Sequence, residues 1–499
     1  MTVSASVVAG FLAWADATPA QPCIHFEGRT LTYNDVRIAA VHRAAAFAAW
    51  GITPGERVAL FLDNCPDFLA AYLGISLAGG VVVLVNTQYR QVELRHILAD
   101  SGTRLCITDA AHHAELDRVR ADLPDLTGIV IAEEANAFLA AGDPAFTPRL
   151  PAGDDLAVLG YTSGTTGRAK GAMILHRNLA ANSAAIREAW GWTANDHLLL
   201  TLPLFHTHGL MVGAHGTLTA GATMSLSRRF DAPAVFHALQ NDPVTLFFGV
   251  PTMYIRLLQE AEHQPEFTRR LRLFVSGSAP LSTQIFEDWR RVFGQTILER
   301  YGMTETGMNT TNPYDRERRP GTVGMPFPGQ EARVVDVRTR AVLPDDETGE
   351  IEVRGPHVCA GYWLRPDATA ENFGADGWFR TGDLGFRDAD GYYTISGRAK
   401  ELIISGGYNI YPREVEEVLA QCPGVAEVAV IGVPDAEFGE SVAAIIVPSD
   451  PALTAAAVVA FCRDQLASYK KPKHVRFVAA LPRNAMGKVQ KHLLNDAVE

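Results

Sequence analysis

The sequence predicts an α/β protein: a large N-terminal domain of two wound α/β sheets plus a β-rich subdomain, then a small α+β C-terminal domain. Three observations carry this. Short β-branched or apolar runs alternate with helical stretches over the first half and beyond, which implies parallel sheets wound with helices. From about Val323 the pattern turns to short β segments, and the chain after Lys400 has mixed α+β character. At 499 residues the chain is also too long for one small domain.

The elements follow in order. Residues 24–32 (IHFEGRTLT) suggest a hairpin turning at Gly28, with helical patterning from Tyr33 to Trp50. Strand 58–62, helix 67–77, strand 81–85, helix 92–99 and strand 105–108 come next. Residues 110–153 are Ala/Asp/Pro-rich with little pattern and are read as a variable connection. Residues 156–160 read as a strand and 173–184 as a helix start. Strands are then expected at 198–202, 245–248 and 273–276, with helices at 252–260 and 282–293. Short strands at 332–337 and 350–354 mark the β-rich part.

Composition excludes several classes. A hydrophobic content of 47% with 20% charged residues is ordinary for a soluble globular chain. The net charge of −12 and the absence of Lys/Arg runs argue against nucleic-acid binding. Six cysteines (Cys23, Cys65, Cys106, Cys359, Cys422, Cys462) lack CxxC spacing and read as buried thiols in a reducing compartment. The uncharged stretch 68–89 is long enough to span a bilayer. Ala78-Gly79-Gly80 breaks it, however, and helix, turn and buried strand explain it better. The N-terminus has no basic segment, so a cytoplasmic protein is expected.

The chemistry centres on Tyr161–Gly171, YTSGTTGRAKG. Glycines let backbone N–H groups turn toward an anion and the hydroxyls add donors, so the loop suits phosphate. It is not the common G-x-x-x-x-G-K-[ST] loop, because Gly171 follows Lys170. Downstream, ERYGMTET (299–306) offers a carboxylate and threonines, the oxygen donors Mg²⁺ prefers. SGSAP (276–280) is not a GxSxG nucleophile elbow, and His206-Thr207-His208 lacks a nearby third metal ligand. RTGDL (380–384), SGR (396–398), SGG (405–407) and LPRNAMGKVQK (481–491) complete the series. Tyr362 discloses no chemistry in the sequence.

In type and order these motifs resemble the adenylate-forming superfamily of acyl-CoA synthetases, luciferases and peptide-synthetase adenylation domains. The resemblance covers most of the chain. It implies an ATP, Mg²⁺ and coenzyme A enzyme with an adenylation domain over 1–398 and a mobile lid over 399–499. ATP would be held by Thr162, Ser163, Gly164, Thr165, Thr166, Gly167 and Lys170. Further ATP contacts are implied at Ser278, Ala279, Pro280, Glu299, Arg300, Tyr301, Gly302, Thr304, Asp383 and Arg398. Tyr301 would stack on adenine, Thr304 touch the α-phosphate and Asp383 bind the ribose hydroxyls. Magnesium would fall to Glu305 and Thr162, the catalytic set being Lys488, Glu305 and His206. Lys400 matches the hinge, and Gly406 and Gly407 the pantetheine tunnel.

The acyl pocket is expected to use His206, His208, Gly209, Ser278, Met303, Arg256 and Arg300. Two arginines facing a buried site need an anionic partner, because an unpaired buried charge is costly. PLFHTHGL, GVPTMYIRLL, SGSAPL and ERYGMTETGMNT accordingly resemble malonyl-CoA synthetases. That implies malonate or methylmalonate as the acid, unless Arg300 pairs with Glu299 or another acid. A medium-chain acyl or aryl-acid ligase is the alternative within the family. A non-catalytic adenylate-binding regulator is the alternative outside it.

Overall fold

The structure is a computed structural model. It describes residues 5–162, 168–263, 271–405, 408–435, 437–463, 465–484 and 487–494. By packing, the chain divides into two compact units. The first comprises Met1–Pro320, Gly324–Glu331 and Val353–Phe379; the second comprises Gly321–Val323, Ala332–Glu352 and Arg380–Glu499. The domain boundary read from sequence, 398/399, falls inside the second of these units.

The first unit contains two wound sheets. One has the order Gly128–Ile131, Leu105–Thr108, Arg57–Phe61, Val81–Leu84, Leu156–Thr162, Lys170–Leu175. Its first five strands run parallel and the last turns back antiparallel. Every residue of Val81–Leu84 and of Leu105–Thr108 is buried, as expected of parallel strands covered on both faces. The nine-stranded sheet has six parallel strands at its centre: Ile297–Met303, Leu273–Ser276, Leu246–Gly249, His197–Leu200, Thr223–Leu226 and Pro22–Phe26. An aromatic cluster of Phe247, Tyr254, Phe274 and Trp289 fills one face of it.

Local chemistry explains the element ends. Thr32 and Asp35 form a reciprocal capping box that starts helix Tyr33–Trp50, and Gly51 ends it at φ 98°. The stretch 68–89 is the helix Pro66–Leu77, a turn and the strand Val81–Leu84. Among the described residues no helix is long and apolar enough to cross a membrane. All six cysteines are free thiols, five of them buried and Cys65 half-buried.

Three expectations are corrected. Residues 110–153 are not a patternless connection: Asp109 caps the helix Ala110–Arg120, which buries Leu116 and Val119, and a fifth parallel strand follows. Only two buried positions on that helix left too thin a stripe to read. Residues 173–175 end a strand, and the helix is His176–Ala189. The helices at 208–220 and Ala232–Asn241 and the strand Thr223–Leu226 were not anticipated.

The second unit carries a four-stranded sheet in the order Glu331–Val335, Gly349–Arg354, Phe379–Arg387, Tyr393–Arg398. A further sheet centres on the long antiparallel pair Val425–Asp435 and Gly439–Pro448. Val415, Leu419, Val458 and Cys462 pack on one of its faces, and Leu481 and Leu494 on the other.

Candidate active site

The candidate residues of the first unit sit where parallel strands end. Leu156–Thr162 leads into the phosphate-loop motif, while His197–Leu200, Leu273–Ser276 and Ile297–Met303 lead into the segments of His206, Ser278 and Glu305. In open α/β sheets the crevice outside the carboxyl ends of the strands is where ligands bind. Ser163, Gly164, Thr165, Thr166 and Gly167 lie outside the described residues.

The two sheets meet at Thr304-Glu305. Gly160 is required here, since a Cβ on it would stand 2.5 Å from Thr304 Cγ2. Glu305 is 6% exposed, and its Oε1 accepts hydrogen bonds from the Thr162 hydroxyl and the Tyr362 hydroxyl, both at 3.0 Å. Thr162 and Glu305, separate in sequence, are thus brought together. Tyr362 is the residue that sequence reasoning passed over. Its only prior signal was an aromatic hydroxyl in a run of small residues, which has no spacing to Glu305 that a reader could exploit. Lys170 Nζ lies 5.5 Å from the centroid of the same tyrosine ring. Tyr301 is half-buried, and Gly302 is held by close packing, because a Cβ on it would meet Gly307 O at 2.1 Å. A carboxylate with one oxygen oriented by two hydroxyls fits the oxygen-rich, hard site that Mg²⁺ requires.

A second group surrounds Arg300. This arginine is 3% exposed, and its Nε and Nη2 are buried without a hydrogen-bond partner among the described residues. No ion pair of Arg300 is found among those residues, and Glu299 acts on it through its charge. Glu299 Oε1 instead accepts from the Leu281 N–H at 2.9 Å. Burial pushes the Arg300 guanidinium down to about 9, with only partial compensation from the Glu299 charge. Gly277 lets it lie flat: a Cβ there would be 2.4 Å from Arg300 Cζ.

His208 is fully buried with Nε2 unpartnered, its Nδ1 3.3 Å from the Ser278 hydroxyl. Ser278 adopts φ 68°, the left-handed region that strains a non-glycine residue. His208 opens a π-helix, His208–Ala214, an irregularity often found at functional sites. Gly209 behind it has no room for a side chain, with Pro203 O 2.1 Å from a Cβ. Burial, and then the Arg300 charge, hold His206 down to about 4 and His208 well below its ordinary value, so both rings are neutral.

Arg256 corrects the sequence reading. It is exposed on helix Pro251–His263, its guanidinium 5.2 Å over the Phe230 ring. Tyr254 and Leu257 take the inward face of that helix, which turns Arg256 outward.

In the second unit Asp383 is 4% exposed and pairs with Arg398 at 2.6 Å across adjacent strands. Lys488 follows Gly487, whose φ is 74° and whose N–H donates to Asn484 O at 2.9 Å. Surrounding protein, and then the Arg398 charge, lower its pKa, with Asp383 and Glu401 opposing. Lys400 is exposed in a single 3₁₀ turn, Ala399–Glu401. Gly406 and Gly407 lie outside the described residues.

Comparison with known proteins gives the family. The AMP-binding enzyme family matches residues 11–363, and the AMP-binding enzyme C-terminal domain matches 414–488. A sulfoacetate–CoA ligase of Cupriavidus necator is 40% identical, over 94% of this chain and 93% of its own. A malonate–CoA ligase of Arabidopsis thaliana is 34% identical, over 91% of this chain and 80% of its own. The ATP-bound crystal structure of MatB from Rhodopseudomonas palustris superposes with a TM-score of 0.93 at 41% identity, covering 99% of this chain and 98% of that one. The chain belongs to the AMP-binding enzyme family and is an acid–thiol ligase.

Proposed function

We propose that this ligase activates malonate or methylmalonate as an acyl-adenylate and transfers it to coenzyme A. A substrate carboxylate oxygen attacks the α-phosphorus of ATP, and the bond to the β-phosphate breaks, releasing diphosphate. The CoA thiolate then attacks the acyl carbon, and AMP leaves with the carboxylate oxygen. Glu305 and Thr162 are the residues that fit magnesium, which when bound neutralises phosphate charge. Thr304 and Lys170 orient phosphate oxygens, and Tyr301, Asp383 and Arg398 take the nucleoside. Lys488 serves the adenylation half-reaction, and Lys400 is the hinge used before the thioester half-reaction. Neutral His206 and His208 shape the acyl site through hydrogen bonds and carry no charge there.

The observation that carries the acid's identity is Arg300, a buried guanidinium with two unpartnered nitrogens. A second anionic group on the acid would supply the missing acceptors. A monocarboxylic fatty or aryl acid would leave them unmet. The same chemistry admits a sulfonate in place of the distal carboxylate, a second reading favoured by the Cupriavidus relative. A non-catalytic adenylate binder would release no diphosphate.

The test is kcat/KM with CoA for malonate, methylmalonate, sulfoacetate, acetate and hexanoate, following diphosphate. Malonate or methylmalonate is expected first, with acetate and hexanoate behind by up to about 10⁴, as for sites built around a polar partner. Preference for hexanoate would refute the dianion reading, and preference for sulfoacetate would move it to the sulfonate.

A further inference from the structure

We propose that Tyr362 is a positioning residue that aims the Glu305 carboxylate at the metal. The inference rests on the reading of Glu305 as the magnesium ligand. A carboxylate on a loop has two equivalent oxygens and a soft torsion, so its metal-facing lone pairs are defined only if something holds the other oxygen. Here the Tyr362 and Thr162 hydroxyls both donate to Oε1 at 3.0 Å, and no hydrogen bond to Oε2 is found among the described residues. Oε2 is therefore the oxygen offered to a cation.

The tyrosine is itself fixed from several directions. Residues 359–363 lie antiparallel along the strand Lys170–Leu175: Ala360 N–H donates to Met173 O, Met173 N–H to Gly361 O, and Trp363 N–H to Gly171 O, each at 2.8 Å. The Tyr362 N–H donates to Thr369 Oγ1 at 2.9 Å, and Cys359 N–H to the Glu305 carbonyl at 2.8 Å. One strap thus registers the strand leaving the phosphate loop against the turn that carries the metal carboxylate. A phenylalanine would fill the same 7% exposed position and keep the ring near Lys170, so only the hydroxyl accounts for a tyrosine. Outer partners of this kind orient ligand groups, and losing one typically weakens metal affinity by about 10–100-fold.

The experiment titrates Mn²⁺ into the full-length enzyme saturated with α,β-methylene-ATP, reading the bound metal by water-proton relaxation. Wild type is compared with Tyr362→Phe, Thr162→Val and Glu305→Gln. Analogue affinity in EDTA and thermal unfolding are measured in parallel. Tyr362→Phe is expected to weaken Mn²⁺ by about 10-fold or more, with metal-free analogue affinity and Tm nearly unchanged. Excess Mg²⁺ should restore its turnover but not that of Glu305→Gln. Thr162→Val removes the other donor to Oε1 and a proposed magnesium ligand at once, so it marks the loss expected when the metal end itself is cut. Tyr362→His, which keeps a donor on the ring, is the second tyrosine variant and should retain more Mn²⁺ affinity than Tyr362→Phe. Unchanged Mn²⁺ affinity in Tyr362→Phe, with a loss in Glu305→Gln, would make the tyrosine a scaffold and overturn the inference. Unchanged affinity in Glu305→Gln would remove the metal reading itself and the inference with it.

Discussion

Glu305 and Arg300 stand at the end of one strand and the turn after it, both almost fully buried, yet the protein treats them in opposite ways. The carboxylate has two hydroxyls on one oxygen and its loop tied by a backbone hydrogen bond. The guanidinium has two nitrogens with no partner, and its own pKa is lowered by the burial. A buried charge supplied with donors is preorganised for a ligand of opposite sign. One left without acceptors is held at a cost that only a bound anion relieves. In the proposed function, the carboxylate end of the site is therefore finished by folding, and the guanidinium end by substrate.

The largest effect that would break this contrast is Arg300→Met. Turnover of malonate should fall by about 10²-fold or more, following the roughly 2–5 kcal/mol lost when one member of a buried charged pair is removed. Thermal stability should stay level or rise, because a buried charge only partly compensated by Glu299 is gone. A drop in Tm together with unchanged kcat/KM would show that Arg300 is structural.

Gly277→Ala sharpens the same point through shape. The new methyl would meet Arg300 Cζ at 2.4 Å, so the guanidinium must move. An overpacking cost of about 1–3 kcal/mol is expected, with malonate selectivity over acetate reduced by roughly tenfold. Selectivity equal to wild type, measured with both acids, would mean that the guanidinium plane has no part in recognition.

Acid stability provides a third check. Burial holds His176, His206 and His357 down to about 4 and His215 to about 3. Between pH 6.5 and 4 the unfolded chain therefore takes up more protons than the native one, so stability falls as pH drops through that window. Tm scanned against pH should decline steeply there and level off near neutrality. A flat profile down to pH 4 would mean the rings are protonated in place.

The smallest effect is expected from Arg256→Ala. The side chain is exposed over Phe230, where a cation–π contact is worth about 0.5–1 kcal/mol. Its effect on kcat/KM for malonate should be well below that of Arg300→Met; equal effects would return Arg256 to the acid site.

Several features were legible without coordinates because they depend on neighbours in the chain. The runs at 81–84 and 105–108 are apolar on both faces, which only a covered parallel strand tolerates. Ser282 and Gly294 bracket the helix Thr283–Phe293 as capping chemistry requires. The motif loops were singled out by residue type together with their resemblance, in order, to those of the adenylate-forming superfamily. What the tertiary structure decided concerns partners far apart in sequence. Arg256 and Arg300 looked equivalent on paper, but helix phase exposes one, while strand Ile297–Met303 buries the other. Tyr362 reaches Glu305 across 57 residues only because its strap pairs with the strand Lys170–Leu175. Local periodicity reports which way a side chain faces, whereas the atom it meets there is set by how strands from distant parts of the chain come into register.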